Sequence, residues 1–438
     1  MYSHLEEVFA PGDCRIASLG PAKVASTLSS GRFISDADGV LVSIGKGGGR
    51  RRKAVGERPV FELAGPRQKL FFDPSKAKCA VVTCGGLCPG LNDVTRAIVM
   101  AAHHNYRVPA VLGIRYGLQG FIPRYGHEIV ELTPQQVSEI HEFGGTVLGT
   151  SRGPQAAKEI VDALERLNVS VLFMLGGDGT MRAAQRVVAE VSRRKARISV
   201  IGIPKTIDND IMFVSPSFGF DTAVDKATEA IRCAHTEALG APNGIGLVKL
   251  MGRESGFIAA QSSLALKDVN FVLVPEDKFD LHGENGLLAA LTERLARRGH
   301  AVIVCAEGAG QNITGAGGDT DASGNVKLGD ICSVLKSEIT RHLKEKGVDF
   351  TLKFIDPSYI IRSVPANSND RIYCGFLGQN AVHAGMAGKT NMVVSRWNGQ
   401  YVHIPLSLVT RARKRIDTNS NFWRAVLEST GQPHSLRA

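Results

Sequence analysis

The stretch VSVLFMLGGDGT, residues 169–180, determines the fold that we predict for this chain. Its apolar and β-branched first half is typical of a buried strand, and its glycines are typical of a tight turn. Apolar side chains recur at helical spacing after Thr180. The stretch therefore predicts a strand, a turn and a helix in succession.

The same alternation recurs along the chain from Lys78 onward. Short β-branched runs predict strands at Cys79–Thr83, Ala110–Ile114, Val169–Leu175, Ile198–Ile203, Ile245–Leu250, Phe271–Val274, Ala301–Ala306 and Thr351–Ile355. Helical patterns between them predict helices at Asn92–His103, Pro154–Leu167, Thr180–Ala196, Asp221–Leu239 and Asn285–Arg298. This alternation predicts an α/β fold with parallel sheets covered on both faces, and the number of strands favours two Rossmann-like lobes.

The net charge of +10 over 438 residues raises the question of an anionic polymer as partner. Its distribution argues against nucleic acid, because the chain between residues 79 and 410 carries a net charge of only +1. Residues 1–78 carry +5 and residues 411–438 carry +4. We interpret the basic runs 50–53 and 411–415 as solvated tails, with an anionic docking surface as the alternative.

Cysteine usage and the chain ends favour a cytoplasmic protein. The eight cysteines form neither a CxxC pair nor a zinc spacing, which indicates a reduced compartment. The first residues, MYSHLEEVF, are unlike a basic leader, and the last four, SLRA, are not a convincing peroxisomal signal. No apolar run approaches the ~18 residues of a membrane-spanning helix, so we expect no membrane partner.

Residues 319–330 resemble a calcium-binding EF-hand loop. Their twelfth residue, Asp330, is not the glutamate that such loops use, and a glycine-rich stretch stands where a helix is required. We predict a mobile surface loop there instead.

Three polar segments directly follow predicted strands, where parallel sheets bind their ligands. They are TCGGLCPGLN (residues 83–92), GGDGT (176–180) and PKTIDND (204–210). Glycines let the backbone approach a phosphate closely, and the N–H groups of a following helix attract the anion. A simple tight turn remains the alternative for the first segment.

The acidic residues of these segments indicate a cation. Asp178 would repel phosphates unless Mg²⁺ lies between them, although it is also a suitable helix cap. Asp208 and Asp210 can divide proton acceptance and metal binding, while Lys205 neutralises a phosphate and Thr206 contacts the group in transfer. An Asx-rich turn is the alternative for this segment.

The other predicted lobe carries a basic and polar set that suits a phosphorylated substrate. Its segments are MGRESG (residues 251–256), AEGAG (306–310) and KFIDPSYIIR (353–362). Arginine and lysine recognise phosphate, and Glu307 can accept hydrogen bonds from sugar hydroxyls. Each residue alone could equally form a surface ion pair; together with the glycine turns they indicate a cleft for phosphoryl transfer.

From about Ala64 to about Pro405, the chain resembles the 6-phosphofructokinase family, because GGLCPGLN, GGDGT, PKTIDND, MGRESGFIA, AEG and DPSYIIR follow one another as in that family. It is most similar to the ATP-dependent plant and trypanosomatid branch. The resemblance implies the phosphofructokinase fold and transfer of the ATP γ-phosphoryl group to the C1 hydroxyl of fructose 6-phosphate in glycolysis, with Mg²⁺ as cofactor.

The resemblance also implies roles for individual residues. Asp208 would be the base and Asp178 the metal-binding residue, with Asp210, Arg253 and Thr206 also catalytic. The residues that would bind ATP are Gly86, Arg152, Gly153, Gly177, Asp178, Gly179 and Thr180. The residues that would bind the sugar phosphate are Thr206, Ile207, Asp208, Met251, Gly252, Arg253, Glu307, Lys353, Tyr359, Ile360, Ile361 and Arg362. Lys353 stands where shorter bacterial relatives have an arginine that reaches across a subunit interface.

The phosphoryl donor depends on two positions. Gly179 leaves room for an α-phosphate and favours ATP, whereas Lys205 is frequent in pyrophosphate-dependent relatives. The branch that this chain most resembles combines both residues, so we predict ATP, with pyrophosphate as the alternative. A regulatory protein that binds sugar phosphate without turnover, and a diacylglycerol- or NAD-kinase-like enzyme that shares only GGDGT, are less consistent with the remaining motifs.

The predicted organisation follows from the same resemblance. We expect an N-terminal extension (1–77), a nucleotide-binding lobe (78–218, completed by about 363–410), a sugar-phosphate lobe (219–362) and a basic C-terminal tail (411–438). A homotetramer or homodimer is expected from the family, as is allosteric control by an effector that the sequence does not identify.

Overall fold

The structure is a computed structural model that describes residues 10–29, 31–43, 58–315 and 326–437. Its strands are β1 (Ala17–Ser18), β2 (Val24–Ala25), β3 (Gly39–Leu41), β4 (Val60–Leu63), β5 (Lys69–Leu70), β6 (Lys78–Thr83), β7 (Ala110–Ile114), β8 (Ile129–Glu131), β9 (Val171–Gly176), β10 (Ser199–Pro204), β11 (Gly244–Leu250), β12 (Phe271–Leu273), β13 (His300–Ala306), β14 (Thr351–Ile355), β15 (Lys389–Thr390), β16 (Met392–Trp397) and β17 (Gln400–Pro405). Its α-helices are α1 (Leu91–Met100), α2 (Ala157–Arg166), α3 (Asp178–Arg194), α4 (Phe220–Leu239), α5 (Phe257–Leu266), α6 (Leu287–Arg298), α7 (Ile331–Glu345), α8 (Ser358–Ser363), α9 (Ser368–Met386), α10 (Leu406–Val409) and α11 (Asn421–Thr430). A π-helical turn, Ala101–Asn105, continues α1.

Every predicted strand and helix forms, with ends shifted by a few residues. The prediction gave no bounds for the remaining elements, among them the strands β16 and β17 and the helices α5, α7, α9 and α11. Both α5 and α9 bury most of their circumference, so they lack the one-sided apolar period that identifies a surface helix.

The larger sheet has nine strands in the order β3-β4-β17-β16-β10-β9-β6-β7-β8. The five strands from β16 to β7 are parallel, and the strands outside them are antiparallel. Alternate residues point to opposite faces. Val81 and Phe173 therefore lie in the core beneath α1 and α9, whereas Val82 and Leu172 lie in the core beneath α2 and α3.

The smaller sheet is wholly parallel, in the order β12-β13-β11-β14. One of its faces packs on α6 and α7 through residues such as Leu291 and Leu335. The opposite face contributes Val248 and Val304 to the same hydrophobic core that covers Phe173 of the larger sheet. The α/β fold with two parallel-rich sheets is thus confirmed, and a shared core joins the two sheets.

The described part of the segment before β6 packs against the larger sheet. The strand β4 pairs with β17, and its Glu62 accepts hydrogen bonds from Arg67, Lys389 and His403. Burial raises the pKa of Glu62, but the hydrogen bond from His403 and the charges of Lys389 and Arg67 outweigh it, so the pKa lies below its usual value. The predicted basic run 50–53 and most of the loop 319–330 lie outside the described residues.

Candidate active site

The carboxyl ends of both sheets border one cleft of about 790 Å³. The strands β6, β9 and β10 end at Thr83, Gly176 and Pro204 on one side, and β11 and β13 end at Leu250 and Ala306 on the other. In the larger sheet β6 lies between β7 and β9, so the chain order reverses there. Open α/β sheets bind ligands at such a switch point, which makes this cleft the candidate active site.

Most of the predicted site residues line this cleft. They are Gly86, Arg152, Gly153, Gly177, Asp178, Gly179, Thr180, Lys205, Thr206, Ile207, Asp208, Asp210, Met251, Arg253, Glu307, Tyr359 and Arg362. They come from loops far apart in sequence, and the parallel arrangement brings them together.

Four predicted residues do not line the cleft. Gly252 lies behind its wall, with a φ of +134° and a carbonyl that accepts a hydrogen bond from the Gly308 N–H. In α8, Ile361 is fully buried and Ile360 is exposed to solvent. Lys353 lies on the edge strand β14, where its Nζ is 3.9 Å from Glu237 Oε2.

Lys205 stabilises the glycine turn after β6 through a hydrogen bond to the backbone of the turn. This side chain is buried, and its Nζ donates a hydrogen bond of 2.6 Å to the Gly86 carbonyl. Thr150 Oγ1 donates in the same way to the Gly85 carbonyl at 2.6 Å. Burial lowers the pKa of Lys205. The backbone N–H groups of the turn are thus presented in a fixed orientation beside a cationic side chain.

The second glycine turn starts α3, which directs its N-terminal N–H groups at the cleft. A Cβ on Gly176 would lie 2.2 Å from Thr180 Oγ1, so only glycine fits there, whereas a Cβ on Gly179 would meet nothing within 4 Å. Asp178 Oδ2 accepts a hydrogen bond of 3.0 Å from Arg182 Nε. The turn therefore leaves open space at Gly179 next to a helix N-terminus that favours anions.

Asp208 is half-buried, and one oxygen of its carboxylate, Oδ1, is buried. Among the described residues nothing donates to its Oδ1, while Thr206 Oγ1 donates to Asp210 Oδ1 at 2.8 Å. Burial and the nearby charges of Asp210 and Glu307 raise the pKa of Asp208 well above its usual value of 3.8. A carboxyl group with a raised pKa and a free oxygen in a cleft is suited to accept a proton.

The opposite wall presents arginines and a carboxylate. The Arg362 guanidinium lies 4.8 Å from the centre of the Tyr359 ring, which is largely exposed to the cleft and solvent. Burial raises the pKa of Glu307, although the charges of Lys249 and Arg253 act in the opposite direction. This wall combines cations that are suited to bind a phosphate with a carboxylate that is suited to accept hydrogen bonds from hydroxyl groups.

The basic run 411–415 is not a solvated tail, which corrects the interpretation from composition. Lys414 is 3% exposed, and Arg413 lines the cleft. Burial lowers the pKa of Lys414 to about 7, although the charge of Asp210 opposes this shift. A signal was present: Trp423, Val426 and Leu427 follow the run at helical spacing and form the buried side of α11, which places this region on the protein body.

The sequence-based prediction also did not include several other residues that line the cleft. Arg182 and Arg186 lie four and eight residues after Asp178 on α3, and this spacing puts them on the same helix face. Lys249 lies near the end of β11, two residues before Met251, and lines the cleft as Met251 does. Its Nζ lies 3.4 Å from Asp356 Oδ2.

The acidic residues of the cleft fit a metal ion that arrives with phosphates. Within the described parts of the chain, no group of three or more histidine, cysteine, aspartate or glutamate side chains is arranged to hold a metal by itself. Asp178 and Asp210 nevertheless both lie within 4.0 Å of the Arg413 guanidinium, so their carboxylates are near each other. Mg²⁺ usually takes one or two carboxylates and completes its shell with phosphate and water, which matches this donor set.

Among the described residues, no helix is both long and apolar enough to cross a bilayer.

Known proteins resemble this chain over most of its length. A family model described as phosphofructokinase matches residues 78–385. The ATP-dependent 6-phosphofructokinase of Borreliella burgdorferi is 46% identical, over 97% of this chain and 98% of that protein. The protein of the same name from Amycolatopsis methanolica is 45% identical, over 100% of this chain and 97% of that protein. The one from Trypanosoma cruzi is 46% identical, over 86% of this chain and 78% of that protein.

Among solved structures, a pyrophosphate-dependent phosphofructokinase from Marinobacter aquaeolei superimposes with a TM-score of 0.66. The match covers 81% of this chain and 91% of that one at 20% sequence identity, so it supports the fold alone.

Proposed function

This chain belongs to the phosphofructokinase family, and we infer that it is an ATP-dependent 6-phosphofructokinase. It transfers the γ-phosphoryl group of ATP to the C1 hydroxyl of fructose 6-phosphate and yields fructose 1,6-bisphosphate. The observation that carries the mechanism is the buried Oδ1 of Asp208, which has no hydrogen-bond partner among the described residues and lies between the glycine turns and the basic wall. The full-length relatives named above, at about 45% identity, support the choice of ATP.

The nucleotide binds at the glycine turns. Gly86 and the turn from Gly177 to Thr180 offer backbone N–H groups to the phosphates, and the N-terminus of α3 adds its dipole. Arg152 and Gly153 line the same part of the cleft. The open space at Gly179 accommodates the α-phosphate, which pyrophosphate lacks.

Asp178 is the residue proposed to hold Mg²⁺, with help from Asp210. The ion, when bound, would neutralise the negative charge that develops on the phosphates during transfer. Asp178 contributes its carboxylate from the first residue of α3, where the helix itself stabilises the negative charge. Its ion pair with Arg182 holds the carboxylate in place at the cleft.

The sugar phosphate binds at the opposite wall. Arg253 and Arg362 provide guanidinium groups for its phosphate, and Glu307 accepts hydrogen bonds from its hydroxyls. Met251 and Ile207 supply apolar contact at the two sides. The roles of Gly252, Lys353, Ile360 and Ile361 in binding stay predictions, since these residues lie outside the cleft lining.

The chemical step needs a base at the C1 hydroxyl. Asp208 accepts the proton through its free Oδ1 as the hydroxyl oxygen attacks the γ-phosphorus. The raised pKa of Asp208 makes it a stronger base than an exposed aspartate. Thr206 contacts the phosphoryl group in transfer, and its hydrogen bond to Asp210 supports this role because it restrains the hydroxyl.

Location and assembly complete the proposal. We expect the enzyme in the cytoplasm, as a homotetramer or homodimer under allosteric control.

A coupled assay with fructose 6-phosphate and either MgATP or magnesium pyrophosphate tests the proposed donor. We expect MgATP to give the dominant rate, because Gly179 leaves space for the nucleotide. Pyrophosphate remains the second candidate because Lys205 is common in pyrophosphate-dependent relatives. A dominant rate with pyrophosphate would contradict the assignment.

A further inference from the structure

Residues 411–416, which we call the strap, attach to the turn that carries the catalytic carboxylates. Arg413 forms an antiparallel bridge with Ile211, and the Lys414 N–H donates a hydrogen bond of 2.7 Å to the Asp210 carbonyl. The strap therefore follows the backbone of residues 210–211 directly at the edge of the cleft.

The other end of the strap attaches to the smaller sheet's side of the cleft. The Ile416 N–H donates to Glu276 Oε1 at 2.9 Å, and the same carboxylate accepts a hydrogen bond from the Gly256 N–H at the start of α5. Arg415 pairs with Glu254 at 2.7 Å. Because Glu254 and Gly256 belong to the predicted sugar-phosphate segment, the strap connects both halves of the site.

Lys414 anchors the strap. Its Nζ donates hydrogen bonds of 2.6 Å to Asn209 Oδ1 and to the Val214 carbonyl, and it lies 5.2 Å from the centre of the Phe257 ring. Asn209 stands between the two catalytic aspartates and has a φ of +55°. The anchor thus fixes the strap to the centre of the PKTIDND turn.

This anchoring aims Arg413 into the cleft. Its Nη1 lies 3.6 Å from Asp210 Oδ2 and its Nη2 lies 4.0 Å from Asp178 Oδ2. Both distances exceed hydrogen-bond length, and in the described part of the chain the guanidinium donates no hydrogen bond. Its N–H groups are therefore available to another acceptor.

Asp178 and Asp210 each have a hydrogen-bond partner other than Arg413. Asp178 already accepts a hydrogen bond from Arg182, and Asp210 accepts one from Thr206. A guanidinium with uncommitted donors between two partnered carboxylates is suited to bind a further anion, and its planar fork matches two phosphate oxygens.

We propose that Arg413 is a further catalytic residue, which binds the terminal phosphate oxygens of the nucleotide while the phosphoryl group is transferred. The inference rests on the proposed function, because that function places those oxygens between Asp178 and Asp208. Arg413 acts as an arginine finger supplied in cis, and the strap holds it in position.

The test compares Arg413→Met, Arg413→Lys and Arg413→Ala in the full chain with wild type. Arg413→Met should lower kcat by about 10²-fold or more, with KM for fructose 6-phosphate changed by less than about threefold. Arg413→Lys should recover part of kcat. Guanidinium ion added at millimolar concentration should increase kcat of Arg413→Ala, which a purely structural role would not produce. Arg424→Met, on the exposed side of α11, is the matched control and should keep wild-type kcat.

The outcomes separate this inference from the proposed function. Wild type that fails to phosphorylate fructose 6-phosphate with MgATP refutes the proposed function itself. With active wild type, the inference is overturned by a kcat within threefold of wild type in Arg413→Met, or by a loss that guanidinium does not reverse in Arg413→Ala. The inference is supported by a loss of kcat in Arg413→Met together with an increase of kcat in Arg413→Ala when guanidinium is added.

Discussion

The Oδ1 atom of Asp208 is buried and accepts no hydrogen bond from the described part of the chain, so substitution of this residue gives the most direct test of the mechanism. We predict that Asp208→Asn lowers kcat by about 10³-fold while KM for both substrates changes little, because the amide cannot accept the C1 hydroxyl proton. Steady-state kinetics with MgATP measures both constants.

The matched control for this variant is Asp225→Asn, an exposed position on α4. It should leave kcat unchanged. A kcat within tenfold of wild type in Asp208→Asn would contradict the base assignment.

The raised pKa of Asp208 has opposite effects on activity and on stability. Ionised Asp208 is the proposed base, so kcat/KM should rise with pH through a pKa above the usual 3.8. The folded state binds this proton more tightly than the unfolded state, so the free energy of unfolding should fall over the same pH range. Rate profiles and urea unfolding from about pH 5 to about pH 9 measure the two trends. Asp208→Asn should remove this group's contribution from both; identical stability profiles for the two proteins would refute the shift.

Gly179 offers a test of donor selection, because a side chain there would enter open space. Gly179→Asp should raise KM for MgATP about tenfold or more, since a carboxylate would repel the α-phosphate, a penalty of about 1.4 kcal/mol or more. Gly179→Ala adds only a methyl group and serves as the control. Equal KM values for MgATP in the two variants would show that charge at this position does not select the donor.

At the scale of elements, the start of α9 stabilises the start of α4. Asp370, in the first turn of α9, accepts hydrogen bonds from the N–H groups of Gly219 and Thr222 and from the Thr222 hydroxyl. Burial outweighs these bonds and raises the pKa of Asp370 to about 6. The carboxylate therefore satisfies donors at a helix N-terminus that would otherwise be buried without a partner.

Removal of this contact should destabilise the protein. Asp370→Ala should lower the free energy of unfolding by about 3 kcal/mol, because two backbone donors lose their acceptor. Asp370→Asn keeps an acceptor oxygen and should cost less. Urea unfolding measures the difference, and a loss in Asp370→Ala no larger than in the exposed control Asp225→Ala would contradict the capping role.

The strand–turn–helix units could be predicted because each carries its own local pattern. The β-branched run before Gly176 and the periodic residues after Thr180 are sufficient to place Asp178 at a strand end. The helices α5 and α9 could not be predicted in this way, because buried residues on most sides remove the period. The sequence also does not distinguish the two adjacent isoleucines of α8, of which Ile361 is buried in the core and Ile360 is exposed to solvent.

For the molecule as a whole, what the sequence does not reveal is which distant segments meet. The charge run 411–415 has no period that distinguishes a solvated arginine from one that enters a cleft. The same holds for Glu62, whose buried ion pairs with Arg67 and Lys389 depend on the pairing of β4 with β17. Both features depend on tertiary contacts between remote parts of the chain.

The strap also has a consequence for the order in which the molecule folds. Lys414 and Asn209 are 205 residues apart, and Arg415 and Glu254 are 161 residues apart. Contacts across such separations form late, because a long loop must close before they can contribute any stability. The larger sheet needs the same kind of closure, because β4 pairs with β17 across a still longer separation. The complete sheet and the competent cleft should therefore be regained together when the chain refolds.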